Sequence, residues 1–110
     1  MSRRIHQINE LIQKHIGNIL QKEVSFKAGI LVTVSKVDTT VDLRHSRISI
    51  STFPEQETDY VMKTLEHEHG KIQIALHKLL HMKPLPKISF RSDLTEQNAD
   101  VIERLLLQLK

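Results

Sequence analysis

The chain has 110 residues, enough for one hydrophobic core and too few for a two-domain enzyme. Its 39% apolar and 26% charged content is that of an ordinary folded domain. No apolar run approaches the ~20 residues of a membrane-spanning helix, no signal peptide is expected, and the lack of cysteine excludes a disulfide framework, a thiolate nucleophile and a cysteine-ligated zinc.

The net charge of +3 is a balance of blocks. Residues 1–50 hold eight Lys/Arg against four Asp/Glu, residues 51–70 one against five, residues 71–91 five against none, and residues 92–110 two against four. The acid-free stretch carries Lys71, Lys78, Lys83, Lys87 and Arg91. Charge clustered in this way creates a local positive field that the net value conceals, so a polyanion is the first partner class to consider.

In chain order, Ile5, Ile8, Leu11, Ile12, Ile16, Ile19 and Leu20 recur at spacings of three and four and predict an amphipathic helix over 3–23. Ser2 is a candidate N-cap. Arg3 and Arg4 fall at the positive end of the helix dipole, where they are either solvated or placed for an anion. Residues 30–38 and 46–53, rich in β-branched types, predict two strands joined by a polar connection. In the second, Ile48 and Ile50 share one face, and Arg47, Ser49 and Ser51 the other. Pro54 stops it, and a helix opens at Glu55 or Thr58. The acids Glu55, Glu57 and Asp59 suit a helix N-terminus and need no catalytic explanation. The helical pattern breaks at Gly70, predicting a kink or two short helices meeting there, and resumes through Ile72, Ala75, Leu76, Leu79 and Leu80. After Lys83-Pro84-Leu85-Pro86, residues 87–91 predict a third strand with Ile88 and Phe90 on one face. Asp93 or Thr95 then caps a terminal helix bearing Ala99, Ile102, Leu105, Leu106 and Leu109. The order α-β-β-α-kink-α-β-α predicts one α+β domain spanning 1–110, a three-stranded sheet with helices on one face.

Constellations for chemistry are sparse. His77 and His81 stand at the i, i+4 spacing of a metal pair on a helix, but no third ligand is evident, and His67-Glu68-His69 fails the H-E-x-x-H pattern because residue 71 is a lysine. No nucleophile elbow, Walker loop or dinucleotide fingerprint is present, and three glycines leave little for a phosphate-cradling loop. Asp38 and Asp42 read as turn residues. Phe26, Phe53, Tyr60 and Phe90 are too few for a stacking platform, so any RNA contact should run mainly to phosphates through Arg and Lys.

The string Leu31-Val32-Thr33-Val34-Ser35-Lys36-Val37, followed by Asp42-Leu43-Arg44-His45-Ser46-Arg47-Ile48-Ser49-Ile50-Ser51, resembles the V-T-V-x-x-V … D-L-x-x-A-x-V-x-V-S signature of bacterial ribosome-binding factor A. Arg3-Arg4-Ile5, Ile19-Leu20-Gln21-Lys22-Glu23-Val24 and Pro86-Lys87-Ile88-Ser89-Phe90 match the same pattern in the same order, so the resemblance covers nearly the whole chain. It implies a KH-like domain of type II, order αββααβ, in which an Ala-x-Gly interhelical kink replaces the GxxG nucleotide loop. Here the kink falls on Glu68-His69-Gly70, with the glycine kept and the alanine absent. Ser46 stands where the family usually has a small apolar residue.

By resemblance the protein binds the immature small ribosomal subunit and its ribosomal RNA during late maturation, has a role in growth at low temperature, and is a cytoplasmic monomer. No catalysis, cofactor, metal, membrane or small-molecule substrate is implied. Together with the charge pattern, the expected RNA-binding residues are Arg3, Arg4, Arg44, Arg47, Lys71, Lys78, Lys83, Lys87 and Arg91. The alternatives are a protein-interaction module whose helical stripes meet the partner without direct RNA contact, and, less favoured by its ligands, a small hydrolase using His77 and His81.

Overall fold

The computed structural model describes residues 3–83 and 85–94. Among them α1 runs Arg3–Glu23, β1 Leu31–Thr39, β2 His45–Phe53, a 3-10 turn Glu55–Glu57, α2 Thr58–His67, α3 His69–Leu79 and β3 Lys87–Ser92. The expected terminal helix falls outside the described residues. The fold is α+β and KH-like in its order, as expected, with boundaries within one or two residues of those the periodicity implies.

Helix α1 buries Ile8, Ile12, Ile16, Ile19 and Leu20, five of the seven residues of the expected stripe, against Val37, Ile48 and Ile50 of the sheet; Ile5 is half-buried and Leu11 exposed. Val61 and Leu65 of α2, Ile72 and Leu76 of α3 and Ile88 of β3 complete the core. Each fully buried Ile or Leu contributes roughly 1.5–3 kcal/mol of transfer free energy. The turn into β1 closes through a bond from the Ile30 N–H to the Lys27 carbonyl, 3.3 Å. Gly29 holds its third position at φ 87°, the left-handed conformation that a type II turn asks of glycine.

The sheet order is β1-β2-β3, with β1 antiparallel to β2 and β2 parallel to β3. Simple alternation along β1 cannot place Val32, Val34 and Val37 on one face. The register shift between Val34 and Lys36 inserts one extra residue, a β-bulge that reverses the parity, so all three valines join the core side while Lys36 and Asp38 turn outward. On β2, Ser46, Ile48 and Ile50 face the helices, and Ser46 is fully buried. Its hydroxyl lies 2.8 Å from that of Thr39, which donates to Asn9 Oδ1 at 2.6 Å. The serine is therefore satisfied by a chain of bonds joining both strands to α1. Ser49, expected on the polar outer face, is also buried. Lys36 and Arg91 flank it in register, and its carbonyl accepts the Ser35 hydroxyl at 3.1 Å.

The break between α2 and α3 is at Glu68 (φ −91°, ψ 3°), two residues before the glycine expected to cause it. Gly70 is helical, has no positive φ, and a Cβ added there would meet open space. Gly70→Ala should accordingly stabilise the domain by about 0.5–1 kcal/mol through helix propensity, read from the urea midpoint at constant m. A destabilised alanine variant would mean that the kink depends on glycine after all.

Candidate nucleic-acid interface

The direction of α1 decides where the first charges go. Asn9 is bonded to Thr39 and the Gln13 amide to the Val34 carbonyl at 3.1 Å, so α1 runs antiparallel to β1 and its first turn points toward the β1–β2 hairpin. At 1.5 Å per residue, Arg3 and Arg4 project roughly 8–9 Å beyond Asn9 at that end.

The hairpin tip is built for rigidity. The Thr40 N–H donates to the His45 carbonyl and the Leu43 N–H to the Thr40 carbonyl, both 2.9 Å, with Leu43 held at φ 62°. Asp42 Oδ1 accepts the Thr40 hydroxyl at 2.5 Å and the Arg44 N–H at 3.1 Å. These two bonds, the hydroxyl first, hold the Asp42 carboxyl below its ordinary value of 3.8, with smaller help from the Arg44 and His45 charges. The Arg44 carbonyl accepts the Lys87 N–H at 2.8 Å, which seats Lys87, at the start of β3, beside the tip.

Because the folded Asp42 carboxyl is depressed, its contribution to the tip is complete above the ordinary carboxylate range and lost as pH falls through the folded value. In an NMR titration the Arg44 amide shift should follow the Asp42 carboxyl with a midpoint below 3.8. A midpoint at or above that value would show that the cap is not formed.

Helix α3 runs antiparallel to α1. Lys71 near its start donates to the carbonyl of Glu23, the last residue of α1, at 3.0 Å, and lies 3.9 Å from the Glu23 carboxylate. The end of α3 therefore returns toward the hairpin, and the connection carrying Lys83 leads into Lys87. Arg3 and Arg4, by the direction of α1, and Arg44 and Lys87, by the bond between them, lie toward one end of the fold with His45, and Lys83 stands four residues before Lys87 in the chain.

The other expected residues are distributed differently. Arg47 is exposed on the outer sheet face with Asp38 opposite it in register, and Lys36 lies 3.4 Å from the same aspartate. Lys71 and Lys78 line a groove between α1 and α3. Arg91 sits at the far end of β3, in a cleft shared with Glu55 and Asp59, and Lys27 pairs with Glu57 at 3.2 Å nearby. Exposed pairs of this kind are worth at most about 1 kcal/mol, but their placement shows that the acid-free block of the sequence is not one patch in space. Among the described residues Glu55, Glu57 and Asp59 lie away from the hairpin, beside Arg91 and Lys27, whereas the tip holds one carboxylate, Asp42, tied to its own backbone.

The kink residues are structural fasteners. His69 Nε2 donates to the Ile88 carbonyl at 2.7 Å, and its ring meets Phe90 edge-on at 6.3 Å. Gln73, which no sequence motif marks, accepts the Ile88 N–H at 2.8 Å and donates to the Pro86 carbonyl at 3.0 Å. Its amide also lies 2.6 Å from His77 Nε2. His77 is thereby engaged, and α3 ends at Leu79 with Leu80 extended (φ −92°, ψ 126°), so His81 leaves the helical spacing on which a metal pair would depend. Among the described residues no three His, Asp or Glu side chains are placed to hold a metal ion, and no helix is long and apolar enough to cross a membrane.

The sequence model for Ribosome-binding factor A matches residues 4–106. A protein of that name from Akkermansia muciniphila is 31% identical over 106 residues, covering 96% of this chain and 84% of its own. The crystal structure of ribosome-binding factor A from Thermus thermophilus superposes with a TM-score of 0.69 at 18% identity, covering 80% of this chain and 94% of its own. A homology model of the Thermus thermophilus factor fitted into the cryo-EM map of a 30S complex gives 0.64 at 19% identity, covering 76% and 88%.

Proposed function

Since the chain belongs to the ribosome-binding factor A family, we propose that it binds the immature small ribosomal subunit during late maturation and rRNA processing, with its hairpin end against ribosomal RNA. The observation that carries the orientation is the gathering of Arg3, Arg4, Arg44 and Lys87 toward one end and of Glu55, Glu57 and Asp59 toward the other. A polyanion attracts the first end and repels the second, so charge orients the encounter before any contact forms. Contacts to phosphate position the domain and carry no base code, which suits recognition of folded RNA by shape. The role is one of binding in the cytoplasm, where the subunit is assembled, and involves no catalysis.

Gradient sedimentation of cell extract tests it. The protein should travel with free small subunits, leave them as salt is raised from ~50 to ~200 mM as phosphate contacts require, and be absent from polysomes. Presence on polysomes, or an association indifferent to salt, would overturn the reading.

A further inference from the structure

The groove between α1 and α3 differs from the hairpin end in kind. It encloses about 950 Å³, and its apolar lining is exposed to an unusual degree: Ile74 is 59% and Leu79 44% accessible. Leu11, also 44% accessible, extends the wall, because it lies four residues before the lining residue His15 on α1. Lys22 and Lys78 stand at the rim and make no ion pair among the described residues, whereas Lys71 is turned toward Glu23. No Phe, Tyr or Trp lines the groove, whose one ring is the His15 imidazole, so it offers bases no stacking platform, and phosphates would gain nothing from Ile74 and Leu79.

We propose that this groove docks a protein partner, through an amphipathic helical segment of about two turns that lays apolar side chains on Ile74 and Leu79 and sets Asp or Glu against Lys22 and Lys78. The size follows from the span of Lys71 to Leu79, about 12 Å at 1.5 Å per residue. The mode is that of a helix in a groove, read by anchors three and four residues apart, and the charge of the partner follows from the two unmatched lysines. Lys78 then serves a protein contact, and the RNA contact proposed above rests on the hairpin end alone.

Benzoylphenylalanine placed at position Ile74 of the full chain, with a second variant carrying it at Arg44, tests this by photocrosslinking in cells. The adduct at position 74 should survive ribonuclease, and mass spectrometry should place it in a net-acidic peptide of a second protein, with apolar residues at spacings of three and four; an adduct to residues 95–110 of this chain, which share that composition, would overturn the proposal. Adding Lys78→Glu should reduce that adduct about tenfold or more while leaving the adduct at position 44 intact. Lys78 is exposed in the last turn of α3, so the substitution opposes only the helix dipole, a small effect at the surface, and the chain should remain folded. A ribonuclease-sensitive adduct at 74, no adduct there, an adduct in a basic segment, or one undiminished by Lys78→Glu would each overturn the proposal. Absence of an RNA adduct at position 44 in the chain that keeps Lys78 would count against the hairpin-end reading and leave the groove untouched, whereas its loss on adding Lys78→Glu would put Lys78 on the RNA and overturn the proposal.

Discussion

Arg44→Glu combined with Lys87→Glu is expected to weaken binding to small-subunit particles by about 30-fold or more at ~0.15 M salt, and to make the salt dependence shallower by about two units. Each neutralised phosphate contributes a slope of about 0.9 in log K against log salt for a duplex. At ~0.15 M that is roughly fivefold in affinity per contact, so two lost contacts approach 30-fold before repulsion is added. Both side chains are exposed, and their backbones are held by bonds that the substitutions do not touch. Stability should therefore stay within about 0.5 kcal/mol. Arg91→Glu is the matched control for Arg44→Glu alone, which should cost about fivefold or more: the same two-unit charge change at the far end of β3, beyond a Debye length of about 8 Å, should alter binding less than about threefold. Equal losses for the two variants, measured by pelleting with purified particles, would show that net charge rather than the hairpin end governs the association.

The comparison between these variants turns on something that sequence order hides. Lys71 through Arg91 is a contiguous acid-free run, yet the chain climbs α3 from the Glu23 end to the hairpin end and then descends β3, so its first and last charges finish far from its middle ones. A linear charge count sees the run and not the reversal. Helix α1 was legible for the opposite reason: its information is local, and of the residues spaced three and four apart all but Ile5 and Leu11 are buried. The faces of β2 and β3 were legible by the same kind of local alternation.

What depended on a partner element was not. The bulge after Val34 becomes evident only when β1 is laid against β2. The burial of Ser49 depends on neighbours from two other strands. Glycine is a sound marker of helix interruption, and it led to within two residues of Glu68, where the chain passes from α2, packed on β2 and β3, to α3, packed on α1. The His77 and His81 spacing failed because α3 stops at Leu79, where the chain must turn to deliver β3. Gln73 gave no signal at all: a single glutamine on a helix reads as a solvated residue until the edge of β3 is seen beside it.

That edge gives Gln73 the largest expected effect on stability of any polar residue described. Strand β3 pairs on one side only, with β2, and its other edge would leave backbone groups unmatched. Gln73 and His69 take the N–H and the carbonyl of Ile88 respectively, and the Gln73 amide also serves Pro86. Side chains thus do for this edge what another strand would do. Gln73→Met keeps the length and the apolar stem but none of the bonds, leaving the half-buried Ile88 N–H without its acceptor, and should cost about 2–3 kcal/mol. Gln73→Glu restores the acceptor but cannot donate, and sets a carboxylate against the Pro86 carbonyl, so it should recover less than half of the loss. Urea unfolding measures both, and hydrogen exchange at the Ile88 amide should quicken in the methionine variant. Since β3 begins at Lys87, whose N–H is bonded to Arg44, a loosened edge also frees the charge that the hairpin tip holds in place. Gln73→Met should therefore weaken particle binding while leaving every cation intact. A methionine variant with native stability and unchanged exchange at Ile88 would show that the clamp is not what holds β3 to α3.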